Sequence, residues 1–381
     1  FGQDTRNGKL NILQGQTKKE HFYEILNSFA SNETLILYDS KMRSSSEALT
    51  ALQENDKLSL LSKKSAAIFF TSGTTGKPTA TFKTLGNLLS EVKTHKVFFE
   101  AYGIKQVLVT VPLIHIYGYL FGVALPIKLQ VDAIIQEEVL PHDIIDICKH
   151  RPTLCVTNPV FIKALLRLKD YVDLSKTLFI SSTGAMQQSE AQQFEKMYKT
   201  KLFQLYGSTE TGGIAIRESC SDHWNALDGV QISEEGEYLK VKSPYVSEYI
   251  FDGGIQRSSS HFTTMDLARI ENNSVFYLLG RSSELIKIGG KRLSIVEIET
   301  YLESLDGIDE ALIRVSHEAE NLRGEKLSIF IVGNQTMVEK QNIKKQLHDF
   351  FGGIHFEYKI AFVELIAKTA AGKKLRTSIA Y

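Results

Sequence analysis

Residues 66–84 read AAIFFTSGTTGKPTATFKT, an apolar run that breaks into two glycines among hydroxyls and then resumes. The apolar run predicts a buried strand, the glycine segment a loop, and TATFK a second strand. Gly73 and Gly76 let backbone N–H groups come close to an anion, and Thr71, Ser72, Thr74 and Thr75 add hydroxyls. That chemistry suits phosphate oxygens. A Walker A loop is excluded, because it needs four residues between its glycines and Ser or Thr after its Lys. Here two residues separate the glycines, and Pro78 follows Lys77. Taken alone, the segment also fits a tight strand-to-strand turn.

Outward from this loop the chain alternates. Upstream, 20–30 (EHFYEILNSFA) has helical apolar spacing and 34–39 (TLILYD) reads as a buried strand. Downstream, 86–100 predicts a helix. Short apolar strands (VLVTV, VDAIIQ, TLCVT, TLFIS, KLFQLYG) then alternate with helical stretches such as 159–168 and 189–198. This pattern predicts an α/β layer architecture. After Tyr206 short strands and turns take over. From 280 on, helix 295–305, strands 308–316 and 326–332, helix 337–351 and strand 358–366 predict a small α+β unit of about 100 residues, an ordinary domain size. The expected domains are 1–280 and 281–381, with the boundary at 280–284.

Bulk properties narrow the function. Lys+Arg and Asp+Glu both number 44 in 381 residues, which lacks the basic surplus of a nucleic-acid binder. The three cysteines form no C-x-x-C pair, so neither a disulfide framework nor a zinc ribbon is indicated, and reduced thiols in a cytoplasmic protein are expected. The chain does not begin with Met, and its first residues contain no signal-peptide apolar region. Residues 107–127 run 21 positions without Asp, Glu, Lys or Arg, long enough to span a bilayer. Pro112, Gly118, Gly122, Pro126 and His115 interrupt that run, so it reads as a strand at 107–111, a turn and a short core helix, with no membrane span.

Six further segments follow the glycine loop in order: PLIHIYG (112–118), STGAM (182–186), LYGSTETGG (205–213), TTMDL (263–267), GRSSELIKIGGKRLSIVEIE (280–299) and KTAAGKKLR (368–376). Together they resemble the adenylate-forming superfamily of acyl- and aryl-CoA synthetases, peptide-synthetase adenylation domains and luciferases, from Thr71 to Arg376. The resemblance implies a large, multi-layered adenylate-forming N-terminal domain and a small C-terminal domain on a hinge. It implies that Thr71, Ser72, Gly73, Thr74, Thr75, Gly76 and Lys77 hold the departing phosphates of ATP. His115 and Tyr117, with Asn158, Phe161, Ser182, Thr183 and Gly184, would line the acid pocket. Gly184 and Ala185 would lie against adenine, and Tyr206 would stack on it beside Gly207. Thr209 would touch the α-phosphate and Glu210 would bind Mg²⁺, a hard oxygen ligand for a hard cation. Asp266 would accept the ribose hydroxyls, Arg281 would reach ribose or phosphate, and Lys373 would be the catalytic cation. Lys287 and Gly290 would border the path of a pantetheine thiol.

The activity so implied is that of an AMP-forming acid–thiol ligase. It would convert a carboxylic acid, aryl or medium acyl, with ATP to an acyl-adenylate and pyrophosphate. It would then pass the acyl group to the thiol of CoA or an acyl carrier protein. The alternative is a non-catalytic nucleotide- or acyl-binding module of the same fold. The chain departs from the family pattern in several places. Thr79-Ala80 replace the Lys-Gly that usually follows the loop's Pro, and Met265 replaces the Gly of T-G-D. Ser283 stands at a hinge position that is usually Asp or Lys, and Ala367 replaces a Pro. Only 70 residues precede the loop's Thr71, fewer than is usual in the family, so a compact stand-alone ligase with a shortened N-terminal lobe is expected.

Overall fold

The computed structural model describes residues 6–40, 43–72, 78–258, 260–288, 291–316, 326–334, 340–350, 358–368 and 374. The chain divides into two compact units, one of residues 1–264 with 268–278 and one of residues 265–267 with 279–381.

The first unit is built on sheets whose central strands are apolar on both faces. Thr153–Thr157 and Thr177–Ser181 are buried at every position, the signature of parallel strands covered by helices on both sides. Among the described residues the larger sheet has eleven strands. Its parallel half runs Lys201–Ser208, Thr177–Ser181, Thr153–Thr157, Gln106–Val109, Asp132–Ile135. Register pairs Val109 with Val156, Thr157 with Ser181 and Ser181 with Gln204, so these strands end at a common edge. The second sheet, of six strands, contains the hairpin that opened the sequence reading. Ala67–Ser72 and Pro78–Lys83 pair antiparallel from Ala67↔Lys83 to Ser72↔Pro78.

The expected α/β layering is observed. The charge-free stretch forms the strand Gln106–Val109 and then three helical segments, α at Ile116–Tyr119, π at Leu120–Ala124 and α at Leu125–Leu129. Among the described residues no helix is long and apolar enough to cross a membrane. Two helices, Arg43–Gln53 and Leu58–Ser62, were not anticipated. Serine-rich sequence blurs their periodicity, yet Leu49, Leu52, Leu58 and Leu61 cover Ile36, Ile68, Phe70 and Phe82 of the six-stranded sheet.

The second unit holds the helix Ile295–Glu303, the strands Ile308–Ser316, Lys326–Gly333 and Tyr358–Phe362 in one sheet, and the helix Lys340–Phe350. Ile298, Leu302, Ile313, Leu327, Ile329 and Leu347 form its core.

Candidate functional site

The strand Lys201–Ser208 turns back into Gly212–Glu218, pairing Ser208 with Gly212. Thr209, Glu210 and Thr211 are therefore the tip of a hairpin. Its ends are tied by hydroxyls: Ser208 N–H donates to Thr211 Oγ1 at 3.1 Å, and Thr211 N–H donates to Ser208 Oγ at 3.2 Å. Gly212 closes the turn at φ +71°, where a Cβ would stand 2.5 Å from Glu91 Oε2 and 2.7 Å from Tyr245 Cβ. Both the left-handed backbone and the close approach demand glycine.

Two buried charges lie against this turn. Glu91, on the helix Leu85–Glu100, accepts the Gly213 N–H at 2.6 Å. Lys83 ends the strand Pro78–Lys83, and its Nζ donates to Glu210 O at 3.2 Å and to Tyr245 O at 2.6 Å. Ser247 N–H donates to the same Glu210 carbonyl at 2.9 Å. Burial pulls the Lys83 ammonium down to about 8, against the opposing attraction of Glu91 and Glu210. The main chain beneath Thr209 and Glu210 is thus fixed, while both residues are only half-buried.

The remaining site segments leave the common edge of the parallel strands. His115 precedes the helix Ile116–Tyr119, and its buried Nε2 has no hydrogen-bond partner among the described residues. Burial lowers its pKa despite the nearby Asp39 carboxylate, so the imidazole is neutral at neutral pH. The Tyr117 hydroxyl donates to Ile180 O at 2.7 Å and lies 3.2 Å from Thr157 O, so it ties two strand ends together. The Asn158 side-chain oxygen caps the helix Pro159–Leu168, accepting from Val160 N–H at 3.0 Å and Phe161 N–H at 3.2 Å. Ser182 Oγ donates to Leu205 O at 2.9 Å. At Gly184 a Cβ would touch Pro159 at 3.4 Å, and Ala185 beside it is exposed. Thr183 adopts φ 74°, a genuine outlier for a β-branched residue and the kind of strain that gathers at functional sites.

The Tyr206 ring packs on Trp224 at 5.5 Å and on Phe276 at 6.1 Å. Trp224, the only tryptophan, also carries the Arg217 guanidinium at 4.4 Å. The structure therefore brings His115, Tyr117, Asn158, Ser182, Thr183, Gly184, Tyr206 and Gly207 to the carboxyl ends of adjacent strands, where open α/β sheets bind ligands.

Of the hydroxyl loop, Thr71 is described: its Oγ1 lies 3.0 Å from Thr79 Oγ1, across the hairpin. Gly73, Thr74, Thr75, Gly76, Lys77, Gly290 and Lys373, with the side chains of Ser72 and Lys287, lie outside the described residues. In the second unit the Asp266 carboxylate pairs with Arg281 Nε at 3.0 Å. Lys374, next to Lys373, donates to Glu303 Oε1 at 2.5 Å and to Ala311 O at 2.6 Å. Lys374 is therefore an anchor of that unit. Among the described residues no group of three or more His, Cys, Asp or Glu forms a metal cage. A single carboxylate such as Glu210 suits Mg²⁺, which keeps waters and binds through one or two carboxylates together with substrate phosphates.

Sequence reasoning missed Lys83, Glu91 and His95. A signal was present: the buried stripe of the helix Leu85–Glu100 runs Leu88, Glu91, Val92, His95, Phe99, placing two polar residues at apolar-face spacing.

The rice protein 4-coumarate–CoA ligase-like 5 is 27% identical over 363 residues, covering 88% of this chain and 64% of its own length. The long-chain-fatty-acid–CoA ligase of Bacillus subtilis is 27% identical over 348 residues, covering 82% of this chain and 60% of its own. The chain thus spans somewhat over half the length of these relatives. The solved o-succinylbenzoate CoA synthetase of Bacillus subtilis, in complex with its acyl-adenylate intermediate, shares the fold. Its TM-score is 0.80 at 18% identity, covering 98% of this chain and 88% of that one. The AMP-binding enzyme family matches residues 10–244, more than half of the chain. This chain belongs to the AMP-binding enzyme family.

Proposed function

We propose that the protein is an AMP-forming acid–thiol ligase. An oxygen of the acid's carboxylate attacks the α-phosphorus of ATP. The bond to the β-phosphate breaks, and pyrophosphate leaves with the electron pair. A pantetheine thiol then attacks the acyl carbon and gives up its proton, and AMP departs. The observation that carries this reading is the Thr209–Glu210 turn, held through the Glu210 carbonyl and following a strand whose neighbours in the sheet end just before Ser182 and Asn158.

The transition state of the first step gathers charge on phosphoryl oxygens, so catalysis is chiefly positioning and electrostatic stabilisation. The Thr209 hydroxyl donates to the α-phosphate, and Tyr206 gives adenine a ring to stack on. Glu210 would hold Mg²⁺, which when bound neutralises phosphate charge. The neutral His115, with its unpartnered Nε2, offers a polar contact to the acid. Lys373 supplies the cation at the α-phosphate, and Asp266 and Arg281 bind ribose. The acceptor is CoA or the phosphopantetheine of a carrier protein. A cytoplasmic setting supplies ATP and keeps Cys148, Cys155 and Cys220 as the free thiols they are here.

The test is pyrophosphate exchange across a broad acid panel, followed by thioester formation with CoA and with carrier protein in parallel. Label returning to ATP only when acid is present supports the ligase. No acid-dependent return across the panel overturns it and leaves a non-catalytic binding module.

A further inference from the structure

Lys83, Glu91 and His95 are almost fully buried, at 0%, 2% and 1% exposure, and the chemistry above uses none of them. Charges in a dry core are costly unless something there needs them. Volume alone would be filled as well by Met at 83 and Leu at 91. What the two charges hold is specific. Lys83 takes the carbonyl of Glu210, and Glu91 takes the N–H of Gly213. These groups lie on the two sides of Thr211 and Gly212, so the turn is gripped before and after its left-handed residue.

We propose that Lys83 and Glu91 are positioning residues that set the Thr209–Glu210 turn for the metal–nucleotide, a role that rests on the ligase reading of that turn. Lys83 acts through the main chain of Glu210 and Glu91 through that of Gly213. Neither touches substrate. The grip also joins the two sheets of the first unit, because Lys83 ends a strand of one and the turn belongs to the other. The groups facing Lys83 are Glu91, Glu210 and Tyr245, whose hydroxyl meets Thr94 Oγ1 at 2.6 Å and donates to Asp228 O at 2.7 Å. His95 Nε2 stands 3.7 Å from Glu91 Oε1.

The test uses the single tryptophan. Trp224 packs on Tyr206, so its emission reports nucleotide binding in the whole protein. Mg·ATP and AMP without metal are titrated into wild type, Lys83→Met and Glu91→Gln, with urea midpoints measured alongside. Lys83→Met is expected to weaken Mg·ATP binding about tenfold, the scale of one lost charge-assisted hydrogen bond. Its affinity for metal-free AMP should stay within about twofold, a change too small to reflect a lost hydrogen bond. Glu91→Gln keeps an acceptor for Gly213 N–H and loses the charge, so its Mg·ATP affinity should fall between those of wild type and Lys83→Met, with AMP affinity again within about twofold of wild type.

Equal losses of Mg·ATP and AMP affinity, or wild-type Mg·ATP affinity in both variants, overturn the proposal. If Lys83→Met does not fold, the ratio of Mg·ATP to AMP affinity in Glu91→Gln decides the question alone. If wild type exchanges no pyrophosphate, the ligase reading falls, and the metal dependence of ATP binding still decides the role of the two residues.

Discussion

Gly212→Ala gives a measurable value for the close packing behind the hairpin. The substitution places a Cβ 2.5 Å from Glu91 Oε2 and 2.7 Å from Tyr245 Cβ, at a φ of +71°. The left-handed backbone costs about 1–2 kcal/mol for a residue with a Cβ. Pushing the carboxylate away from Gly213 N–H, a 2.6 Å bond, costs a further ~1.5–3 kcal/mol for a hydrogen bond to a charged group. The stiffer unfolded chain returns roughly 0.4–1 kcal/mol. The net loss is about 2–4 kcal/mol, a large share of an ordinary folding free energy of ~5–15 kcal/mol.

Gly236 provides the control. It sits at φ +66° with nothing among the described residues within 4 Å of where its Cβ would be, so Gly236→Ala carries the backbone strain alone and costs about 1 kcal/mol. Urea unfolding followed by Trp224 emission compares the two. A double-mutant cycle with Glu91→Ala, which removes the obstructing carboxylate, should recover about 1–2 kcal/mol of the Gly212→Ala loss. If Gly212→Ala costs no more than Gly236→Ala, the tight contact with Glu91 is wrong, and the grip inferred for the turn goes with it.

Other perturbations separate the remaining roles. Lys374→Met breaks the contacts with Glu303 and Ala311 O and should destabilise the second unit by ~1–3 kcal/mol, read by proteolysis of that unit. Lys373→Ala should abolish pyrophosphate exchange with no such loss, and the reverse outcome would exchange the roles of the two lysines. Thr183→Gly relieves ~1–3 kcal/mol of strain against roughly 0.5–1 kcal/mol of added chain entropy. It should hold or raise the urea midpoint while changing which acids release pyrophosphate, and a lower midpoint would contradict the strain argument. His115 has a folded pKa below its usual 6.5, so the unfolded chain binds the proton first as pH falls. Its contribution to stability is therefore complete above about 6.5 and lost below it. His115→Gln should flatten that acid-side decline of the midpoint, and an unchanged profile would mean the ring is not buried neutral.

Much of the architecture was legible because periodicity follows burial directly. TLCVT and TLFIS read as strands, and both are buried at every position. The helix at 86–100 was likewise plain, and Thr84 caps it by accepting Asn87 N–H at 3.0 Å. The helices at 43–53 and 58–62 were obscured because serines also take buried positions on them, Ser45 and Ser62, and dilute the apolar spacing. At the candidate site, motif order picked out segments, but not how they are held. Lys83 read only as the last residue of the strand TATFK, since nothing local reveals that the carbonyls of residues 210 and 245 accept from it. The engaged hydroxyl of Tyr117 was invisible for the same reason. Its partners lie 40 and 63 residues away in sequence.

The π segment Leu120–Ala124 interrupts an otherwise α-helical run that begins just after His115. Each residue of an α-helix advances about 100°, and a π turn takes in one residue more than its α neighbour. The segment therefore acts as a phase offset between two faces. Leu125 and Pro126 at the far end are buried, and the near end is pressed against the Pro112 carbonyl, 2.1 Å from where a Gly118 Cβ would be. Removing a single residue from 120–124 would keep every side chain of the site and restore a regular helix. It would also rotate the Tyr117 end by roughly 100° relative to the other, so the direction of the helix face that follows His115 is encoded by a residue count several positions away.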